Sequence, residues 1–198
     1  MARIALSKSN LSDQVRQLRA CRSFLPPLDL KRRQLLLEQR KARLQLAEVE
    51  QQRTALEPTM EKQLPMLGDE SIELTGLVKL KDVHFAEENV VGITLPKVDR
   101  IDVEIAEYSF LAKPHWVDRV VQLLKEAIEV TIRRQVVERR LELLAQAARI
   151  VSQRVNLFEK VLIPRIQANI KRIRLALADS ERANIVSAKI AKRKKGAG

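Results

Sequence analysis

The sequence predicts a mainly α-helical protein, in which N- and C-terminal arms form a long antiparallel two-helix coiled coil with a small β-hairpin-containing insert at the far turn. Three observations carry this prediction. Leu, Ala, Glu, Lys, Arg and Gln dominate, while aromatic residues make up 3% and glycines number five, which is typical of long helices. Apolar residues in both arms recur in alternating steps of four and three, the seam of a left-handed coiled coil. Between the arms the apolar period shortens to two, which indicates strands.

The C-terminal segment, residues 115–195, predicts one long helix and a basic tail. No glycine interrupts it, and its only proline is Pro164. At 1.5 Å per residue, about 80 helical residues extend roughly 115–120 Å, so this helix needs a partner of similar length to bury its stripe. Beyond Leu162 the apolar steps lengthen beside Pro164, where we expect a bend. The predicted seam residues of this arm are Val137, Leu141, Leu144, Ala148, Val151, Val155, Phe158 and Leu162.

The N-terminal segment, residues 1–67, predicts the partner helix, with Ser9 or Ser12 as its N-cap. Pro26 and Pro27 remove two backbone donors, so we expect a kink or short break near residues 24–28 and a new helix that starts at Pro27. The predicted seam residues of this arm are Leu35, Ala42, Leu46 and Val49.

The middle segment, residues 68–114, is acidic and changes period. Residues 68–111 include ten Asp and Glu but only four Lys and Arg. Alternating apolar and polar residues predict strands over about 77–85 and 90–95, joined by residues 86–89. Gly92 indicates a bulge or close approach, and Pro96 a strand end or edge. Residues 101–108 fit either a strand or a loop.

The net charge of +12 is compatible with a nucleic-acid- or anionic-membrane-binding coiled coil. The cations alternate with many glutamates along the arms, however, and aromatic residues for base stacking are scarce. Cys21 is the only cysteine, which fits a reducing cytosol. No run of 18 apolar residues and no signal peptide is recognisable, so we expect a protein that does not itself span a membrane.

The sequence contains no pattern typical of a catalytic, cofactor or metal site. His84 and His115 are far apart and lack a ligand motif. The scattered glycines do not form a phosphate-binding loop, and no nucleophile is paired with a base. We therefore expect no catalysis, no cofactor and no metal.

Three stretches of the chain are informative together: RVNLFEKVLIPRIQANIKRI at 154–173, LDLKRRQLL at 28–36 and ENVVGITLP at 88–96. They resemble the D-subunit family of V-type and A-type ATPases (ATP synthases). The first is fairly specific, and all three come in family order across nearly the whole chain. The resemblance implies a non-catalytic rotor axle in the central stalk, which couples ATP hydrolysis or synthesis in a hexamer to rotation of a membrane ring and to transport of H⁺ or Na⁺.

The resemblance also implies partners in a cytoplasmic complex peripheral to the membrane. These are the A and B subunits of the hexamer, the F subunit of the stalk and the funnel-shaped subunit (C or d type) on the ring, without direct nucleotide or nucleic-acid binding and without homo-oligomers. The hexamer-contact candidates are Lys31, Arg32, Arg165, Glu181, Arg182, Lys189, Lys192, Arg193 and Lys194, and the stalk-partner hairpin candidates are Asn89, Val90, Gly92 and Pro96. A coiled-coil adaptor of a flagellar or type III export ATPase is the alternative, which a plain helical turn in place of the hairpin would favour.

Overall fold

The computed structural model of the protein describes residues 5–63, 77–106 and 116–195. Helix α1 spans Lys8–Gln63, strands β1 and β2 span Val78–Val90 and Ile93–Ile105, and helix α2 spans Trp116–Asn156. A π-helical turn at Leu157–Leu162 leads into helix α3, Ile163–Lys195. The predicted boundaries near residues 67–68 and 114–115 lie outside the described residues.

Helix α1 runs unbroken through Pro26 and Pro27, so the predicted break and new helix start are wrong. Both prolines and the residues at 22–24 are exposed, while Leu25 and Leu28 are half-buried. The carbonyl groups that lose their helical donors therefore lie on the solvent side, where they are accessible to water. The N-cap is neither Ser9 nor Ser12, because the Ser7 hydroxyl accepts a hydrogen bond from the Asn10 backbone N–H at 3.3 Å.

The two strands form an antiparallel hairpin that is longer than predicted. Residues 86–89, predicted as the connection, pair within β1, and the turn consists of Val91 and Gly92 alone. Their φ angles of 55° and 75° are those of a primed turn, whose twist matches that of the flanking strands. Gly92 thus serves the turn rather than a bulge. The register shifts lie instead between Leu80 and Asp82 and between His84 and Phe85.

The π-helical turn lies immediately before Pro164. The Ile163 backbone N–H donates to the Phe158 carbonyl, five residues earlier. A π turn holds one residue more than an α turn, and Pro164 cannot donate the bond that would close a regular α turn here. The lengthened apolar steps of the sequence coincide with this turn, which lies between buried Val155 and buried Ile166.

The chain folds into two compact units, one of which comprises residues 1–32 and 150–198. Within it, the Asn169 side-chain amide donates to the Gln14 amide oxygen at 3.2 Å, and Lys8 lies 3.8 Å from Glu181. Residue numbers fall on α3 as they rise on α1, so the helices are antiparallel. The buried apolar residues of this unit are Val151, Val155, Ile166, Ile170 and Ile173.

The other unit comprises residues 33–149: the rest of α1, the hairpin and most of α2. Leu56 of α1 packs on buried Val120 and Leu123 near the start of α2. Leu77, just before β1, packs with Val117 and Val121. The predicted fold class, long helical arms with a small two-stranded antiparallel sheet, is confirmed. Both compact units draw on both arms, and the division into residues 1–67, 68–114 and 115–195 stays a prediction.

Candidate interaction surfaces

The predicted seam residues lie on the inner faces of the helices to different degrees. Half of them are buried, and the others are half-buried. Val136, which is 9% exposed, is more buried than the adjacent Val137, the residue predicted for the seam. The buried members are Leu35, Ala42, Leu144, Ala148, Val151 and Val155, and the half-buried ones are Leu46, Val49, Val137, Leu141, Phe158 and Leu162.

The hairpin is fixed to α2 by an arginine that sequence analysis missed. Arg140 donates one hydrogen bond to the Glu88 carboxylate at 2.9 Å and another to the Pro96 carbonyl at 3.3 Å. Leu95, adjacent to Pro96 and paired opposite Glu88, is fully buried. The pairing spans 52 positions of the chain, so no local pattern marks it.

The stalk-partner candidates lie at the tip of the hairpin and just behind it. The Asn89 side-chain oxygen accepts a hydrogen bond from the Gly92 backbone N–H at 3.0 Å, which closes the turn. Val90 is half-buried beside it. Pro96 pairs opposite Glu87 within the strand and supplies the carbonyl that Arg140 binds. Asn89 and Gly92 therefore shape the tip, whereas Pro96 serves its attachment.

A cleft of about 680 Å³ lies between α1, α2 and β2 inside the unit of residues 33–149. Its lining includes five Lys or Arg and five Asp or Glu around an apolar floor that contains Leu95 and Leu144. Opposite charges in equal number leave this surface without a strong preference for an anion or a cation.

All nine hexamer-contact candidates belong to the unit of residues 1–32 and 150–198. Arg32 pairs with Asp29 at 2.5 Å, and Arg182 with Asp179 at 3.6 Å. Glu181 faces Lys8, and Lys31 is half-buried. Lys194 has its side chain outside the described part of the chain. The exposed cations of this set without an ion pair among the described residues are Arg165, Lys189, Lys192 and Arg193.

The last turns of α3 form an exposed helical overhang, residues 182–193, beyond the Lys8–Glu181 contact. Ile185, Val186 and Ile190 are each more than half exposed. Because they follow one another at steps of one and four, they form an apolar strip among the basic residues. These three residues are visible in the sequence, but they do not continue the steps of the coiled-coil seam and were therefore not predicted as a surface.

A second groove, of about 470 Å³, lies between α1 and α3 inside the same unit. Val15, Leu18 and Ile170 contribute apolar surface to it. Its charged lining is exclusively basic and consists of Arg19, Arg22, Lys171 and Arg174. No local pattern in the sequence marks this cluster, because the two pairs are about 150 positions apart along the chain.

The described residues contain no group of three His, Cys, Asp or Glu side chains placed to hold a metal ion. No helix among them is long and apolar enough to cross a membrane. The unit of residues 1–32 and 150–198 has 19 Lys and Arg against 5 Asp and Glu, whereas residues 33–149 have 18 against 20. The two units therefore offer partners surfaces of different electrostatic character.

Comparison of the sequence with known proteins gives matches to one family. The family model of the ATP synthase D subunit matches residues 10–193. The V-type ATP synthase D subunit of Borreliella burgdorferi is 34% identical over 194 residues, which cover 97% of this chain and 95% of the relative. The protein of the same name from Chlamydia muridarum is 32% identical over 98% of this chain and 96% of its own length. This chain therefore belongs to the ATP synthase D-subunit family.

Proposed function

We propose that this chain is a non-catalytic central-stalk subunit, the rotor axle of a V/A-type rotary ATPase or ATP synthase. In this role it couples ATP hydrolysis or synthesis in a catalytic hexamer to rotation of a membrane ring and to transport of H⁺ or Na⁺. The observation that carries the proposal is the family match over residues 10–193. The relatives' name, the D subunit of a V-type ATP synthase, supplies the kind of complex.

Antiparallel helix pairs suit the transmission of torque. Each unit buries an apolar face, with Leu144 and Ile173 among its fully or nearly fully buried side chains, so twisting one helix relative to the other costs packing energy. The surface of such a pair has no rotational symmetry. Each orientation therefore presents different side chains to a surrounding subunit, and differential contact energy is what shifts one body between conformations.

The charge difference between the units suggests how partners are distributed. The strongly basic unit, with the exposed α3 overhang and all the hexamer-contact candidates, is assigned to the A and B subunits of the hexamer. The charge-balanced unit, with the hairpin, is assigned to the F subunit of the stalk and to the funnel-shaped subunit on the ring. The chain then works in the cytoplasm, peripheral to the membrane, as one member of a heteromultimer.

The alternatives from sequence analysis gain no support. The hairpin over Val78–Ile105 stands where a type III export adaptor is expected to have a plain helical turn. Nucleic-acid binding calls for aromatic stacking residues, and the basic groove between α1 and α3 has none in its lining.

Co-purification tests the proposal. An affinity-tagged chain expressed in its native host is expected to recover the ATP-hydrolysing hexamer and a small stalk subunit in constant ratio. The matched control is a tagged variant with Ile173→Asp, which places a charge at a fully buried position and is expected to lose the complex. A wild-type chain that recovers no ATPase subunit, or that hydrolyses ATP alone, contradicts the proposal.

A further inference from the structure

The basic groove is built by equivalent positions on two antiparallel helices. Arg19 and Arg22 stand three residues apart on α1, and Lys171 and Arg174 stand three apart on α3. Residues three apart are neighbours on a helix surface, so each helix lines the groove with an adjacent pair of cations. Val15, Leu18 and Ile170 provide apolar surface in the same groove.

These four cations have no ion-pair partner among the described residues, and no carboxylate lines the groove. By contrast, Arg16, one turn before Arg19 on α1, is paired with Asp13. All four groove cations are exposed. Four like charges held close together without counter-charge repel one another, and an anionic ligand relieves that repulsion.

We propose that this groove docks an acidic protein segment whose carboxylates flank an apolar side chain. The carboxylates pair with Arg19, Arg22, Lys171 and Arg174, and the apolar side chain covers Leu18 and Ile170. The apolar surface favours a peptide over nucleic acid, because bases bind best by stacking on aromatic side chains. The inference rests on the proposed function in one respect: the acidic segment then belongs to a subunit that surrounds the axle.

Such a contact is suited to repeated making and breaking. Ion pairs at exposed side chains are individually weak and are screened by salt. Their combined attraction guides a segment into the groove. Because the apolar contact is small, it adds little affinity, and the segment can dissociate again. Guanidinium groups predominate, at three of the four positions, and their fork geometry suits carboxylates.

Peptide binding to the intact chain gives a direct test. The probe is a fluorescent 12-residue peptide in which glutamates flank a central leucine, followed by fluorescence anisotropy in about 0.1 M salt. The groove variant carries Arg19→Gln, Lys171→Gln and Arg174→Gln. The matched control carries Arg154→Gln, Lys160→Gln and Arg172→Gln, which removes the same charge from exposed positions outside the groove lining. We expect Kd to rise about tenfold in the groove variant and less than about twofold in the control.

Three outcomes overturn the inference. Equal weakening in the two variants shows a general attraction to a basic protein. Unchanged affinity after the central leucine of the peptide is replaced by serine shows that the apolar part of the groove takes no part. Tighter binding of a 12-nucleotide single-stranded DNA, lost in the groove variant alone, assigns the groove to nucleic acid.

Crosslinking in the assembled complex separates this inference from the proposed function. Gln167, an exposed residue of the groove lining, is replaced by the photoreactive residue benzoylphenylalanine. Irradiation is expected to attach it to a segment of another subunit rich in Asp and Glu. If the chain co-purifies with the ATPase but crosslinks only to segments without acidic residues, the inference fails while the proposed function stands. If no ATPase subunit co-purifies, the proposed function fails, and the peptide measurement still decides the chemistry of the groove.

Discussion

Arg140 of α2 and Glu88 of β1 are joined by a hydrogen bond of 2.9 Å between guanidinium and carboxylate. The Arg140 side chain is only 18% exposed, against 47% for Glu88. Its second terminal nitrogen reaches the Pro96 carbonyl, while its Nε is buried without a partner among the described residues. One arginine thus holds both strands of the hairpin against the helix and leaves one donor unsatisfied.

Replacing Arg140 with Gln is expected to lower the free energy of unfolding by about 1–3 kcal/mol, because Glu88 and the Pro96 carbonyl lose a charged donor. Arg139→Gln is the matched control. Its side chain is 62% exposed and pairs with Glu142 on the same helix, so its loss should cost no more than about 0.5 kcal/mol. Urea denaturation measures both. Equal effects would show that Arg140 does not anchor the hairpin.

Val91 occupies the left-handed backbone region, with φ at 55°, which is unfavourable for a β-branched residue. Val91→Asn should therefore stabilise the hairpin by about 1 kcal/mol, since Asn-Gly is the preferred pair for this turn. Gly92→Ala, at a φ of 75°, should destabilise it by a similar amount. Thermal unfolding followed by circular dichroism checks both signs. A destabilised Val91→Asn variant would contradict the assigned turn.

Ile173 and Leu175 lie two positions apart on α3 but have opposite environments. Ile173 is fully buried and Leu175 is 63% exposed. Ile173→Ala should cost about 2–5 kcal/mol by leaving a cavity between α3 and α1, whereas Leu175→Ala should stay within about 0.5 kcal/mol of the parent. Denaturant titration of the two variants gives the comparison. A larger loss at Leu175 would mean that the opposite face of α3 packs on α1.

Deleting residues 187–198 removes no buried side chain among the described residues. The truncated chain should keep its melting temperature but lose coupling or assembly with the hexamer, because it lacks Ile190 and the basic cluster beside it. A full-length variant with Gln at positions 189, 192 and 193 separates the loss of charge from the loss of length. Truncated complexes that hydrolyse ATP and pump ions at the parental rate would remove this end of the chain from the proposed contact.

The sequence was sufficient for the helices, because their burial follows a local period. Leu35, Ala42, Leu144 and Ala148 recur at steps of seven or four, and all four are buried. The effect of the two prolines was predicted wrongly because it depends on non-local packing. The usual penalty for Pro26 and Pro27 assumes a helix interior, but both lie on an exposed face, and that face is decided by packing further along the chain.

The candidate surfaces were less predictable than the fold. Both the Arg140–Glu88 anchor and the basic groove join residues far apart in sequence, so neither has a local signal. The strand ends were predicted wrongly for a different reason. Glu87 and Glu88 read as a polar turn, yet in a two-stranded hairpin one face remains exposed and acidic residues fit within the strand. Hairpin length was therefore set by the positive φ angles at Val91 and Gly92 rather than by polarity.

Rotation of the chain inside a working complex tests the central claim most directly. A bead is attached to Lys79→Cys, an exposed position on β1, in a Cys21→Ser background, and the hexamer is fixed to glass. With ATP present, the account predicts stepwise rotation of the bead in one direction. A bead that stays still while the same complex hydrolyses ATP would contradict it.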